Sequence, residues 1–143
     1  MNKIVWHKFK EDKNDIPEWC KRKNLAAVLF NDNGVPVRVP VKVNPYFNLN
    51  HISMPPMTHW MVLGDFLEYV RKNTGDWKPI EEAEDVRTEN IVVTAIKNGK
   101  ITMTPYVIRR DYNIKNHELL RGSTHWLPFS EYMKVISNIP KDE

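Results

Sequence analysis

The chain has a single cysteine, Cys20, so no internal disulfide can form, and zinc sites built on repeated cysteine pairs are excluded with it. An unpaired thiol implies a reducing cytoplasm, and Cys20 reads as a small buried hydrophobe. Glycine is almost as scarce, and 5 residues leave little material for a phosphate-cradling loop. No P-loop, dinucleotide-binding glycine pattern, Gly-x-Ser-x-Gly elbow or His-Glu-x-x-His helix is present. No apolar run approaches the roughly 20 residues that cross a bilayer, and residues 1–8 lack the apolar stretch of a signal peptide. A net charge of +3 falls short of a dedicated nucleic-acid binder. What is present is an ordinary globular balance, 41% hydrophobic and 27% charged, which excludes wholesale disorder.

The charge is uneven. Acids lead over residues 68–89, with Glu81, Glu82, Glu84 and Asp85 close together, and bases lead over residues 97–121. Such asymmetry more often marks a solvated face than a site, but it suits anionic partners or subunit pairing.

Self-similarity organises the rest. Thr58-His59-Trp60-Met61 matches Thr124-His125-Trp126-Leu127, and the same displacement carries Asn50-His51 onto Asn116-His117 and Tyr46 onto Tyr112. Asn33-Gly34 and Asn98-Gly99 correspond one position closer, so a one-residue length change falls between them and the tyrosines. Each Asn-Gly pair supplies two residues tolerant of positive φ, as a two-residue type I′ hairpin requires. In the first copy Val35, Val37, Val39, Val41 and Val43 alternate with polar residues and prolines, predicting one buried face. Pro36 and Pro40 cannot donate to a ladder, which predicts a strand that is at an edge or only partly paired.

After each Thr-His-Trp the period changes to helical. Leu63, Phe66, Leu67 and Val70 form one stripe, with Asp65 as cap and Lys72, Asn73 and Gly75 as the stop. Tyr132, Met133 and Ile136 form the other, with Ser130 as cap and Pro140 beyond the end. Pro17-Glu18-Trp19-Cys20 and the acidic residues 81–85 suit short extra helices. The expected fold is α+β: two tandem modules, residues 1–75 and 76–143, each a small antiparallel sheet with an Asn-Gly hairpin and a closing helix. A unit of roughly 65 residues has a marginal core, so the two are expected to pack together.

The entry segments and closing motifs resemble a phage and prophage family of short domains of unknown function that end on Thr-His-Trp-Met-Pro. The matching residues are Trp6, Glu11, Pro17, Gly34 and Thr58-His59-Trp60-Met61, then Trp77, Pro79, Gly99 and Thr124-His125-Trp126-Leu127-Pro128. An apparent helix replaces that family's proline-rich tail. The resemblance implies a phage or prophage accessory protein made in the host cytoplasm, and it implies no chemistry.

Three function classes follow. The leading one is binding to a host protein, such as a defence or regulatory factor, with no catalysis and no cofactor. The second is nucleotide or small-anion binding through Arg38, Arg109 and Arg110, with Tyr112 as a stacking ring. The third is a metal-dependent enzyme in which His51, His59, His117 and His125 converge across a pseudo-twofold axis. Against the last stands a packing role: Trp60 and Trp126 bury large rings, Gly34 and Gly99 turn the hairpins, and duplicated copies must solve the same packing problem twice.

Overall fold

The computed structural model describes residues 4–51, 54, 56–84, 87–112 and 122–142. The fold is α+β. In chain order the strands and helices are β1 (Trp6–Lys8), β2 (Leu25–Val28), β3 (Val41–Val43), β4 (His59–Val62), α1 (Leu63–Asn73), β5 (Lys78–Pro79), β6 (Ile91–Thr94), β7 (Ile96–Lys97), β8 (Lys100–Ile101), β9 (Tyr106–Ile108), β10 (His125–Pro128), α2 (Phe129–Ser137) and β11 (Lys141–Asp142). Glu18–Cys20 and Ile80–Glu82 form single 3-10 turns where short helices were expected.

One sheet runs β11-β1-β4-β2-β3 and a second runs β5-β10-β6-β9, with β7 and β8 as a separate ribbon. In both larger sheets the His-Trp strand is interior, between the entry strand and the first strand of the hairpin. One pairing departs from the antiparallel expectation. Strand β11, from the far end of the chain, lies parallel to β1 with Trp6 opposite Lys141.

The two Asn-Gly turns differ. Asn98 and Gly99 have φ of 54° and 76°, and Lys97 pairs with Lys100, so the second is the two-residue turn the sequence predicts. At the first, only Gly34 has positive φ. There the Gly34 N–H donates to the Asn31 carbonyl and the Asn31 N–H to the Val35 carbonyl, both at 2.9 Å. The Asn31 side chain accepts from the Asn33 and Val35 N–H groups, which turns a two-residue loop into a longer one with glycine last.

The valine alternation also fails locally. Pro36 and Pro40 are buried, whereas Val35 and Val37 are 49% and 46% exposed. Two missing N–H donors reduce the ladder to a bridge at Phe30–Pro36, so the pleat that would set the alternation resumes only at Val41. The predicted border position holds, with β3 last in its sheet.

The helices begin without side-chain caps of their own, against expectation for Asp65 and Ser130. Asp65 sits inside the first turn of α1, where its charge opposes the helix dipole. At α2, Glu89, on the approach to β6, accepts the Ser130 N–H at 2.8 Å. Both helices bury one stripe, Phe66 and Val70 in α1, Tyr132, Val135 and Ile136 in α2.

Three apolar clusters result. The largest joins Trp6, Met61, Phe66 and Val70 to Trp77, Leu127, Tyr132 and Ile136, so both halves of the chain share it. A second, on the outer face of the first sheet, holds Cys20, Leu25, Val43, Leu49 and Trp60. A third holds Ile91, Val93 and Ile108, with Tyr112 and Trp126 against it. Cys20 is fully buried and its thiol donates to the Pro17 carbonyl at 3.0 Å. Burial raises that thiol's pKa above the ordinary cysteine value, so it is held as a neutral hydrophobe.

Candidate interaction face

The Thr-His-Trp corners come first, because repetition made them the strongest site candidates. In each, the threonine is the tie. Thr58 donates its N–H to the Val28 carbonyl, and its Oγ1 accepts the Phe30 N–H, both at 2.9 Å. Thr124 does the same with the Thr94 carbonyl and the Ile96 N–H, again at 2.9 Å. The hydroxyl thus takes a donor from the neighbouring strand where that strand leaves the ladder. Thr58→Val keeps the shape but strands the Phe30 N–H in a buried position, at an expected cost of about 1–3 kcal/mol. Thr124 is exposed, and water can replace its oxygen, so Thr124→Val is expected to cost about 0.5–1 kcal/mol. Urea denaturation of the two variants measures the difference.

The histidines stack and hydrogen-bond locally. His59 is buried, its Nδ1 lies 2.8 Å from Thr58 Oγ1, and its ring meets Phe30 edge-on at 4.7 Å. His125 is half-buried and repeats the contact with Thr124 at 2.7 Å. His51 is exposed on a loop, and His117 lies outside the described residues. Among the described residues, no group of three or more His, Cys, Asp or Glu side chains is arranged to hold a metal ion.

Burial pushes the His59 imidazole below the ordinary histidine range, and the charges of Lys141 and Lys8 add to the effect. A histidine whose folded pKa is depressed contributes stability that is complete above the unfolded value of about 6.5 and is lost as the pH falls through the folded value. The urea midpoint is therefore expected to fall between pH 7.5 and pH 5, and to fall less in His59→Gln.

The tryptophans each receive a group from the paired entry strand. His7 is opposite Trp60 and stacks on it at 4.7 Å, and Lys78 is opposite Trp126 with its ammonium 5.0 Å above the ring. Trp60 is 4% exposed, covered by the cluster that includes Cys20 and Leu49. Trp126 stays half-buried, beside an open groove of about 520 Å³ that Lys78, Glu82 and Glu84 also line. Lys78 already occupies the face of that ring.

The anion candidates are dispersed. Arg38 borders the first sheet, whereas Arg109 and Arg110 follow β9 at the border of the second. Arg109 faces Asp111 at 3.5 Å, which offsets its charge. Tyr112 is not presented for stacking. It packs against Ile91, Val93 and Ile108, its hydroxyl is buried, and its carbonyl accepts from Arg87.

The structure singles out a different feature, a turn at 44–47. Tyr46 and Phe47 are 72% and 67% exposed, the largest values among the described bulky hydrophobics. The Asn44 side chain accepts the Tyr46 N–H at 2.9 Å and its carbonyl accepts the Phe47 N–H at 3.0 Å. The following residues are pinned. Buried Leu49 donates its N–H to Asn14 Oδ1, Asn14 Nδ2 donates to Asn48 Oδ1, and Asn50 Nδ2 donates to Asp12 Oδ1. Hydrogen bonding from Asn50 first, then from the Asn14 N–H, lowers the Asp12 pKa, which keeps this carboxylate ionised in the network.

The second sheet carries the matching turn. Leu25 pairs with Val43 as Ile91 pairs with Ile108, and the Tyr112 N–H donates to the Arg109 carbonyl as the Phe47 N–H does to that of Asn44. By this register Phe47, not Tyr46, corresponds to Tyr112. At the end of this turn the second sheet holds Tyr112 half-buried against Ile91, Val93 and Ile108, and the first sheet leaves Phe47 exposed. Nothing in the local sequence distinguishes an outward aromatic from a core one.

Comparison with protein-family models, with curated proteins and with solved structures gave no match.

Proposed function

We propose that this chain acts by binding another protein, with Tyr46 and Phe47 as the anchors. The single observation behind this is an exposed aromatic pair on a turn that side-chain hydrogen bonds hold in place. Binding energy concentrates in large side chains that enter a partner's pocket, and a turn already ordered loses little entropy on docking. Folding gains nothing from two rings left in water, so their presence has another purpose. The chain is read as two tandem modules, residues 1–75 and 76–143. In support, each Thr-His-Trp corner makes the same bonds in the same strand order. Its setting is taken to be that of a phage or prophage accessory protein acting on a host defence or regulatory protein in the host cytoplasm, on the strength of the motif resemblance.

Site-directed photo-crosslinking in cells of the natural source tests the binding reading. With p-benzoylphenylalanine at position 47, a discrete adduct is expected, and none at exposed position 134 on α2. No adduct at position 47, or equal adducts at both positions, contradicts it.

A further inference from the structure

From Asn33 to Gly64 the chain contains no Asp or Glu, although it has 18 acidic residues in all. That stretch includes the whole β3 border of the first sheet. Residues 35–43 run antiparallel beside residues 25–31, held at Asn31–Val35, Phe30–Pro36, Val37–Leu29 and Leu25–Val43, with no strand beyond among the described residues. The border exposes Val35, Val37, Arg38 and Lys42, and it ends in the turn that exposes Tyr46 and Phe47. Apolar anchors and cations are thus interspersed along one edge without a carboxylate among them. Asp12, which reaches the base of the turn, is engaged by Asn50 and by the Asn14 N–H, and Asp15 faces Lys10 at 3.5 Å.

We infer that this border docks a folded protein whose surface there is acidic and carries an apolar pocket; the inference rests on the protein-binding role proposed above and names the partner's chemistry. Charge complementarity selects the partner, because Arg38 and Lys42 lie between the valines and the aromatic pair, where acidic groups of a partner would meet them. The mode is side-chain docking and not strand addition. Pro36 and Pro40 offer no N–H, and Lys42 is the kind of edge charge that blocks an added strand. A single nucleic-acid strand fits less well. It needs a continuous cationic track beside its stacking rings, and here two aliphatic valines occupy the border with only two cations.

The test uses the full chain with the crosslinker at position 47, alone and combined with R38E/K42E, at 50 and 500 mM NaCl. Thermal melting first establishes that R38E/K42E is folded. A protein adduct is expected whose yield drops at least tenfold in R38E/K42E and severalfold at high salt, and whose crosslinked peptide is rich in Asp and Glu. A protein adduct indifferent to both changes overturns the acidic partner and leaves the protein-binding role standing. Absence of any adduct removes both. An adduct sensitive to nuclease, or one of twice the chain's mass, also overturns the inference, the first in favour of nucleic acid and the second in favour of a second copy.

Discussion

Replacing Trp6 by alanine is expected to destabilise the protein by about 3–5 kcal/mol, the range for truncating a fully buried large aromatic. Trp6 has no exposed surface. Its ring lies 5.5 Å from that of Phe66 and 6.4 Å from that of Phe30, so it joins α1 to the hairpin across the shared core. The indole N–H has no hydrogen-bond partner among the described residues, so removing it relieves a small penalty and favours the lower end of the range. Guanidinium unfolding followed by tryptophan-independent circular dichroism measures the change. A loss under about 1 kcal/mol would mean that the site refills easily and that Trp6 is not central to the core.

The second large effect concerns the chain's end. Deleting residues 140–143 is expected to cost about 2–4 kcal/mol, although most of what is removed is exposed. The Trp6 N–H donates to the Pro140 carbonyl at 2.8 Å, and its loss leaves a donor stranded beside a buried ring. Lys141 donates to the Gly34 carbonyl at 3.1 Å and holds its ammonium 4.9 Å above the Phe30 ring, a cation–π contact worth about 0.5–1 kcal/mol at an exposed site. The exposed His7–Asp142 pair, at 3.3 Å, adds little. The same denaturation experiment measures the deletion, with Lys141→Met to separate the ammonium from the strand. If the deletion unfolds at the wild-type midpoint, β11 contributes only an ornament to the sheet's edge.

How much of this was legible in the sequence depends on the distance over which each feature is decided. The helix stripes at Phe66–Val70 and Tyr132–Ile136 depend on neighbours three and four residues away, and both were read correctly. The Asn98-Gly99 turn is equally local and formed as expected. Asn33-Gly34 has the same dipeptide, but Asn31 competes for the turn with its side chain, so identical local signals gave different loops. The caps were misassigned because both helices begin earlier than read, with Asp65 and Ser130 already inside them, and at α2 the acceptor for a first-turn N–H comes from Glu89, far away in sequence. Nothing in the sequence marks Lys141 as the parallel partner of Trp6, because such a pairing is decided by the packing of both halves. At the candidate site the limits were sharper. The repeated histidines and tryptophans drew attention because they recur, yet the threonine beside them makes the recurring strand tie. Tyr46 was read only as a marker of the repeat and Phe47 not at all, since an aromatic pair after a β-like run looks the same whether it faces inward or outward. Only the register that aligns Phe47 with half-buried Tyr112 sets the exposed ring apart.

The central claim is that the turn at 44–47 serves binding and not folding. The most direct measurement is the affinity of the partner trapped through position 47, once purified, for the wild-type chain and for Y46A/F47A. The double variant is expected to bind at least about 30-fold more weakly, as loss of hot-spot residues does, while its unfolding free energy stays within about 0.5 kcal/mol of wild type. Undiminished affinity, or a loss of stability that accounts for the weakened binding, would contradict the claim and return both rings to the scaffold.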